Sequence, residues 1–347
     1  MSGVRFGVFL PAWVLPGEPP PSVGFLQDFA RRAEDVGFDS LWVFDHLFDA
    51  PPSYRVVFME PLTTLASVAG ATRRVTLGTG ILVLPLRDPV VTAKAVANLD
   101  AISGGRVVFG VGVGWDEREF QACQVPKETR GRRMDEMLDI IDGLWTQDTF
   151  AYEGRYFKIP EVRLAPRPLQ TPRPPILVAG GRVPPGTSQH ITRAKGYTAE
   201  RSLRRAATRG DGLMTAYRSA PGLDMSELRA SWAATCAEAR AAGRDPRTLR
   251  FAHQDHLHID PDARPERLAH VLARFSHNRY EDTAPLYLMG RPEDLVERFQ
   301  ARIDAGVDEI TFSVMSGDPA QLELFAKEIR PHLRPRDERG DRRGEAP

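Results

Sequence analysis

Two short segments carry residue types suited to chemistry: Asp45-His46, which follows the apolar run Leu41-Trp42-Val43-Phe44, and Gly110-Val111-Gly112-Val113-Gly114-Trp115. Histidine is the side chain best able to give or take a proton near neutral pH, and an adjacent carboxylate can set its tautomer or local field. The same pair also reads as a capping Asp beside a structural His, and its place at the end of an apolar strand balances the two readings. Gly110, Gly112 and Gly114 alternate, so one face of that segment lacks side chains and leaves backbone for a planar ring to lie against. The spacing is not the Gly-x-Gly-x-x-Gly dinucleotide fingerprint, and Asp116-Glu117 just beyond it would repel a phosphate. In Gly78-Thr79-Gly80-Ile81 two glycines interrupt another strand, which marks a bulge or a close backbone approach. Val178-Ala179-Gly180-Gly181 ends a further strand; its amides and the Arg182 cation make either an anion cradle or a tight turn with a surface arginine.

The elements that must position these residues alternate along the chain. Apolar, β-branched runs at Val4–Leu10, Ser40–Phe44, Val75–Val83, Val107–Val111, Pro175–Val178, Gly212–Ala216, Leu249–Ile259 and Glu309–Val314 predict strands. Helical periodicity predicts Val23–Val36, Pro61–Ala71, Pro89–Ile102, Arg132–Trp145, Arg201–Thr208, Met225–Ala242, Pro292–Ala305 and a closing Pro319–Leu333. Ser22 and Asp88-Pro89 are N-cap signals, and Gly37 and Gly306 stand where helices stop. Eight strand–helix units predict an α/β fold closed as a TIM (β/α)8 barrel, with the site at the C-terminal ends of its strands. One catalytic domain over 1–333 is expected, with insertions at about 147–175 and 183–201 and a charged, aperiodic tail at 334–347.

Composition narrows the functions. The 347 residues carry 46 basic and 46 acidic side chains, so no global field recruits nucleic acid or a membrane surface. Cys123 and Cys236 are the only cysteines and lack the spacing of a disulfide framework or a structural zinc site. No apolar run reaches a membrane span, which leads us to expect a cytoplasmic protein with a small-molecule substrate. His253, His256 and His258 share one strand and keep a rival in view, a metal-dependent hydrolase. Alternation, however, puts His253 on the opposite face from the other two. A non-catalytic barrel that binds a flavin as a sensor is the third reading.

Taken together, Phe6-Gly7-Val8-Phe9-Leu10-Pro11, Trp42-Val43-Phe44-Asp45-His46-Leu47, Leu77-Gly78-Thr79-Gly80-Ile81, the stretch from Gly104 to Trp115, and Gly306-Val307-Asp308-Glu309 resemble, in that order, the bacterial luciferase-like monooxygenase superfamily. The Asp-His pair and the Gly-Val-Gly-Trp strand end look most like the branch that uses the 5-deazaflavin coenzyme F420, with FMN the alternative. The resemblance implies hydride transfer between the deazaflavin and an organic substrate. Failing that, it implies a two-component FMN monooxygenase served by a flavin reductase, and in either case a homodimer. It places a non-prolyl cis bond at Gly80-Ile81 behind the ring, and Asp45 and His46 at its reactive edge. Gly112, Val113 and Gly114 would lie along ring and tail, and Gly180 and Gly181 at the phosphate, with Arg182 and Ser202 beside them; no metal is implied. Two departures stand out. Trp115 occupies the place where sugar-phosphate dehydrogenases of the family carry a glutamate, and residues 183–201 intervene before the phosphate helix, where Ser202 is the candidate cap. We expect that insertion to act as a lid whose Arg182, Lys195 and Arg201 hold an anionic coenzyme tail. Trp13, Tyr54 and Phe58 are expected to give the substrate pocket an aromatic character.

Overall fold

Strand follows strand around a closed parallel ring in the computed structural model, which describes residues 3–50, 53–183, 199–277 and 279–335. The strands are β1 Arg5–Phe9, β2 Ser40–Val43, β3 Thr76–Thr79, β4 Val107–Gly112, β5 Ile176–Ala179, β6 Gly212–Ala216, β7 Arg250–Ile259 and β8 Glu309–Val314. Each pairs with the next in sequence, and β8 closes on β1 with Arg5 opposite Glu309. Both faces of such a sheet are covered, which explains why the strands are near-continuous apolar runs. Outward positions such as Val8, Leu41, Leu77, Phe109 and Val178 pack under the helices, while inward ones, Phe9, Trp42, Val108, Leu177 and Met214, join an aromatic cluster inside the barrel.

The helices begin and end where their caps predict. Ser22 accepts from the Phe25 amide, Asp88 accepts from the Val90 and Val91 amides at 2.9 Å, and Gly37 and Gly306 adopt positive φ. The 147–175 insertion is an ordered hairpin, Phe150–Glu153 against Lys158–Val162, pinned to the barrel by two carboxylates, half-buried Glu136 and buried Asp100. Glu136 accepts from the amides of Arg155, Tyr156 and Phe157, and Asp100 from those of Leu169 and Gln170. Elements that escape the sequence reading include a short helix Glu117–Ala122, a helix Pro265–Phe275, a small strand pair Trp13–Val14 with Val57–Phe58, and a strand Leu288–Gly290 that pairs with the end of β7. The closing helix is regular only over Ala320–Leu324, since Pro331 has no N–H to give to its last turns. Most of 183–201 and of the tail lies outside the described residues, as does Lys195. Among the described residues, no helix is long and apolar enough to cross a membrane.

The strand expected from Val75 to Val83 forms in two pieces. It breaks at Gly80-Ile81, whose peptide bond is cis, and resumes as Leu82–Val83 against β4. Along this seam a Cβ has nowhere to go. One on Gly78 would meet the Trp42 ring at 2.3 Å, one on Gly110 the Thr79 carbonyl oxygen at 2.0 Å, and one on Gly112 the Ile81 side chain at 2.3 Å. The alternating glycines are therefore filled by the protein's own atoms, which corrects the expectation that their bare face lies open to a ring. Because the obstacle at Gly110 is backbone, Gly110→Ala is expected to lower the unfolding free energy by about 1–3 kcal/mol. A urea titration in which midpoint falls while slope is unchanged checks this; an unaltered midpoint would contradict it.

Candidate active site at the mouth of the barrel

Where the strands end, their loops enclose a cleft of about 1240 Å³, part of it open to solvent. β2 contributes Phe44, Asp45 and His46; the break after β3 contributes Gly80, Ile81 and Val83; β4 contributes Gly112 to Trp115. Across the mouth stand Ala179, Gly180, Gly181 and Val183 after β5, Met214 to Ser219 after β6, Gln254 on β7, and Ser53 with Tyr54 from the loop after β2. The lining is mostly apolar, which suits an organic ring.

His46 is held by a residue the sequence reading missed. Its Nδ1 lies 3.1 Å from Glu119 Oε1, and the same oxygen accepts from the Leu47 amide at 2.6 Å. An oxygen already accepting from one N–H calls for another donor, so the proton sits on Nδ1 and Nε2 is left for the cleft. The Trp115 ring meets the imidazole edge-on at 5.3 Å, and the Phe58 and Tyr54 rings stand at 5.7 and 5.9 Å. Glu119 is 1% exposed and lies in the first turn of the helix Glu117–Ala122, where the helix dipole favours a carboxylate. The spacing Asp116-x-x-Glu119 is a capping signal that could have located this helix, though not the histidine it serves.

Asp45 does not orient its neighbour. It turns the other way, accepting from the Val83 amide at 2.8 Å and from Arg87 at 2.9 Å. Burial raises its carboxyl pKa, with Arg87 pulling against the rise. It therefore ties the resumed strand after the cis bond to the end of β2, a positioning task.

The glycine cradle after β5 is also built differently from the expectation. The Gly180 amide already donates to Met214 O and the Arg182 amide to Ser231 Oγ, while the Arg182 side chain reaches out toward Glu200 at 3.5 Å. Ser202 is no cap: it lies inside the helix Ala199–Arg209, donates to Ala199 O and fills the space beside Gly180. Arginine side chains gather instead in an adjoining groove that shares Val113 with the cleft. It is lined by Arg130, Arg132, Arg201, Arg204, Arg205 and Arg209, with Glu128 and Asp135. Arg205 and Arg209 are paired with Asp135 and Asp139, whereas Arg130, Arg132 and Arg201 form no ion pair among the described residues.

Of the expected aromatic lining, Tyr54 faces the cleft while Trp13 and Phe58 pair with each other behind it and brace Phe44. The three histidines of β7 do not converge. His253 binds Thr215 Oγ1 at 2.8 Å and lies near Asp255, whereas His256 meets Ser313 and is boxed in by aromatic rings. Among the described residues, no group of three His, Cys, Asp or Glu side chains could hold a metal. Burial pushes the His256 pKa down to about 3 and lowers that of His253, which Asp255 partly restores. Unfolded histidine titrates near 6.5, so the unfolded chain takes up these protons first and stability is lost as pH falls from there toward about 3. The melting temperature is expected to drop across that window and to drop less steeply in His256→Gln. Parallel curves for the two proteins would contradict this.

The profile of the luciferase-like monooxygenase family matches residues 4–322. An F420-dependent glucose-6-phosphate dehydrogenase of Kineococcus radiotolerans is 30% identical over 329 residues, covering 90% of this chain and 94% of that protein. In fold, the chain is similar to an F420-dependent secondary alcohol dehydrogenase bound to an F420-acetone adduct (TM-score 0.76, 20% identity, 96% of this chain and 99% of the other). It is also similar to the FMN-bound oxygenating constituent of 3,6-diketocamphane monooxygenase of Pseudomonas putida (TM-score 0.71, 20% identity, 96% and 100%).

Proposed function

The chain belongs to the luciferase-like monooxygenase family, and on that premise we propose that it is an F420-dependent oxidoreductase acting on an organic small molecule. The observation that carries the choice of coenzyme is a groove that adjoins the cleft at Val113 and holds three arginines without ion pairs among the described residues. F420 ends in an acidic oligoglutamate chain beyond its phosphate, whereas FMN ends at the phosphate. A groove of cations beyond the ring wall fits the former. The F420-dependent relative supports the same choice.

In this reading Ile81, Val83 and Val113 back the ring, and Arg130, Arg132 and Arg201 hold the tail, in place of the Gly180-Gly181 amides and Arg182. F420 supplies a hydride centre with carbon where FMN has its reactive N5, so turnover is indifferent to dioxygen. His46 Nε2 gives or takes the proton that accompanies the hydride, and Glu119 holds the imidazole in the tautomer that leaves this nitrogen available. Trp115, standing where the family's sugar-phosphate dehydrogenases carry glutamate, favours a substrate other than a sugar phosphate.

Titration with F420 and FMN, at low and high salt, tests the coenzyme. F420 is expected to bind more tightly and to lose affinity as salt screens the arginines. Tighter FMN binding, or turnover that requires dioxygen, would establish the two-component monooxygenase with its reductase partner instead. For the proton, His46→Ala is expected to lower turnover by about 10²–10⁴ while F420 affinity stays within a few fold. Glu119→Gln should fall between the two proteins, and unchanged turnover in His46→Ala would make the histidine structural.

A further inference from the structure

The turn that follows β6, Tyr217–Ser219, carries a cation into the cleft. Arg218 is 7% exposed, and its guanidinium lies 5.3 Å from the centre of the Tyr217 ring. Its Nη1 is buried without a hydrogen-bond partner, and no carboxylate among the described residues pairs with it. In the sequence, residues 184–198, which lie outside the described residues, contain neither Asp nor Glu.

A guanidinium withdrawn from water without a counter-charge is strongly unfavourable. Of the four buried arginines among the described residues, two are paired, Arg302 with Asp255 at 2.7 Å and Arg205 with Asp135 at 2.6 Å. The other two are Arg130, in the proposed tail groove, and Arg218.

Arg218 is also not alone. The Tyr287 and His256 rings stand 4.8 Å from that of Tyr217, and His256 Nε2 is buried without a hydrogen-bond partner among the described residues, its Nδ1 being taken by Ser313. A guanidinium N–H can only donate, so the missing partner of Arg218 Nη1 is an acceptor. Asp255, the carboxylate whose field reaches His256, is already paired with Arg302. Burial opposes that charge, yet the surrounding phenol groups of Tyr217, Tyr54 and Tyr287 hold it above its ordinary pKa.

We propose that Arg218 is the receptor for a carboxylate on the substrate, so that the molecule turned over is an organic acid with an apolar or aromatic body. This rests on the reading of the cleft as the substrate site. The planar fork of the guanidinium matches a carboxylate in two parallel hydrogen bonds, while Tyr54 and Tyr217 wall the acid and leave its body pointing toward His46.

Calorimetric titration of the full chain with 3-phenylpropionate, 3-phenylpropionamide and phenyl phosphate, before and after saturation with F420, tests the proposal. The acid is expected to bind at least about 30-fold more tightly than the amide. That gap should vanish in Arg218→Gln and survive in part in Arg218→Lys, with both variants checked for an unchanged melting curve. Equal binding of acid and amide, or a gap that persists in Arg218→Gln, overturns it. Phenyl phosphate binding above the acid assigns the site to a phosphate ester and also overturns it. So does an Arg218→Gln protein that folds but loses F420 affinity by the same factor, which gives the guanidinium to the coenzyme. The arm without F420 reads the anion site by itself, so a failure of the proposed coenzyme leaves this result intact and distinguishable.

Discussion

At the seam between β2, β3 and β4 the backbones and the largest rings of the barrel come so close that no side chain fits between them. Trp42, 0% exposed, occupies the space a Cβ on Gly78 would need, and the Thr79 carbonyl occupies that of Gly110. Atoms packed this tightly are held by many small dispersion contacts and cannot shift singly. The rest of the mouth is referred to this seam. The strand breaks and resumes at Gly80-Ile81, Asp45 ties the resumed Val83 amide and Arg87 to the end of β2, and His46 follows Asp45 directly.

From there the site divides by electrostatics. His46 faces a cleft whose neighbouring acids are already engaged, Glu119 with the imidazole and the Leu47 amide, and Asp45 with the Val83 amide and Arg87. The free cationic capacity lies at two other places, the arginine groove beyond Val113 and Arg218 after β6. Two separate cationic positions, one lining the cleft and one in the groove that adjoins it, are what the two proposals, a tailed coenzyme and an acidic substrate, rest on. Carboxylates that elsewhere pin loops, Asp100 and Glu136, accept several backbone amides at once and lie away from the mouth, so they stabilise connections without adding negative field to the cleft.

The eight strands were legible because burial on both faces demands uninterrupted apolar runs, a signal that survives without knowledge of neighbours. The first helices were legible through Ser22 and Asp88, whose caps act within three residues. The helix Pro265–Phe275 and the strand Leu288–Gly290 were not, since the strand is defined by pairing with β7. The Glu119–His46 contact joins residues 73 apart, and the Asp45–Arg87 contact joins residues 42 apart. No local pattern encodes such distances.

By itself, the sequence determined the barrel, the position of Asp45-His46 at its mouth and the family resemblance, all matters of local pattern or of order along the chain. Only the tertiary structure decided which partner each polar group takes. It gave His46 to Glu119 and not to Asp45, filled the bare glycine face with Thr79 and Ile81, used the Gly180 amide for Met214, and gathered arginines of two helices in a groove beside the cleft. The physical reason is the same in each case. A hydrogen bond or ion pair is settled by which groups arrive within about 3 Å of one another, and that is a property of packed elements, not of neighbours in sequence.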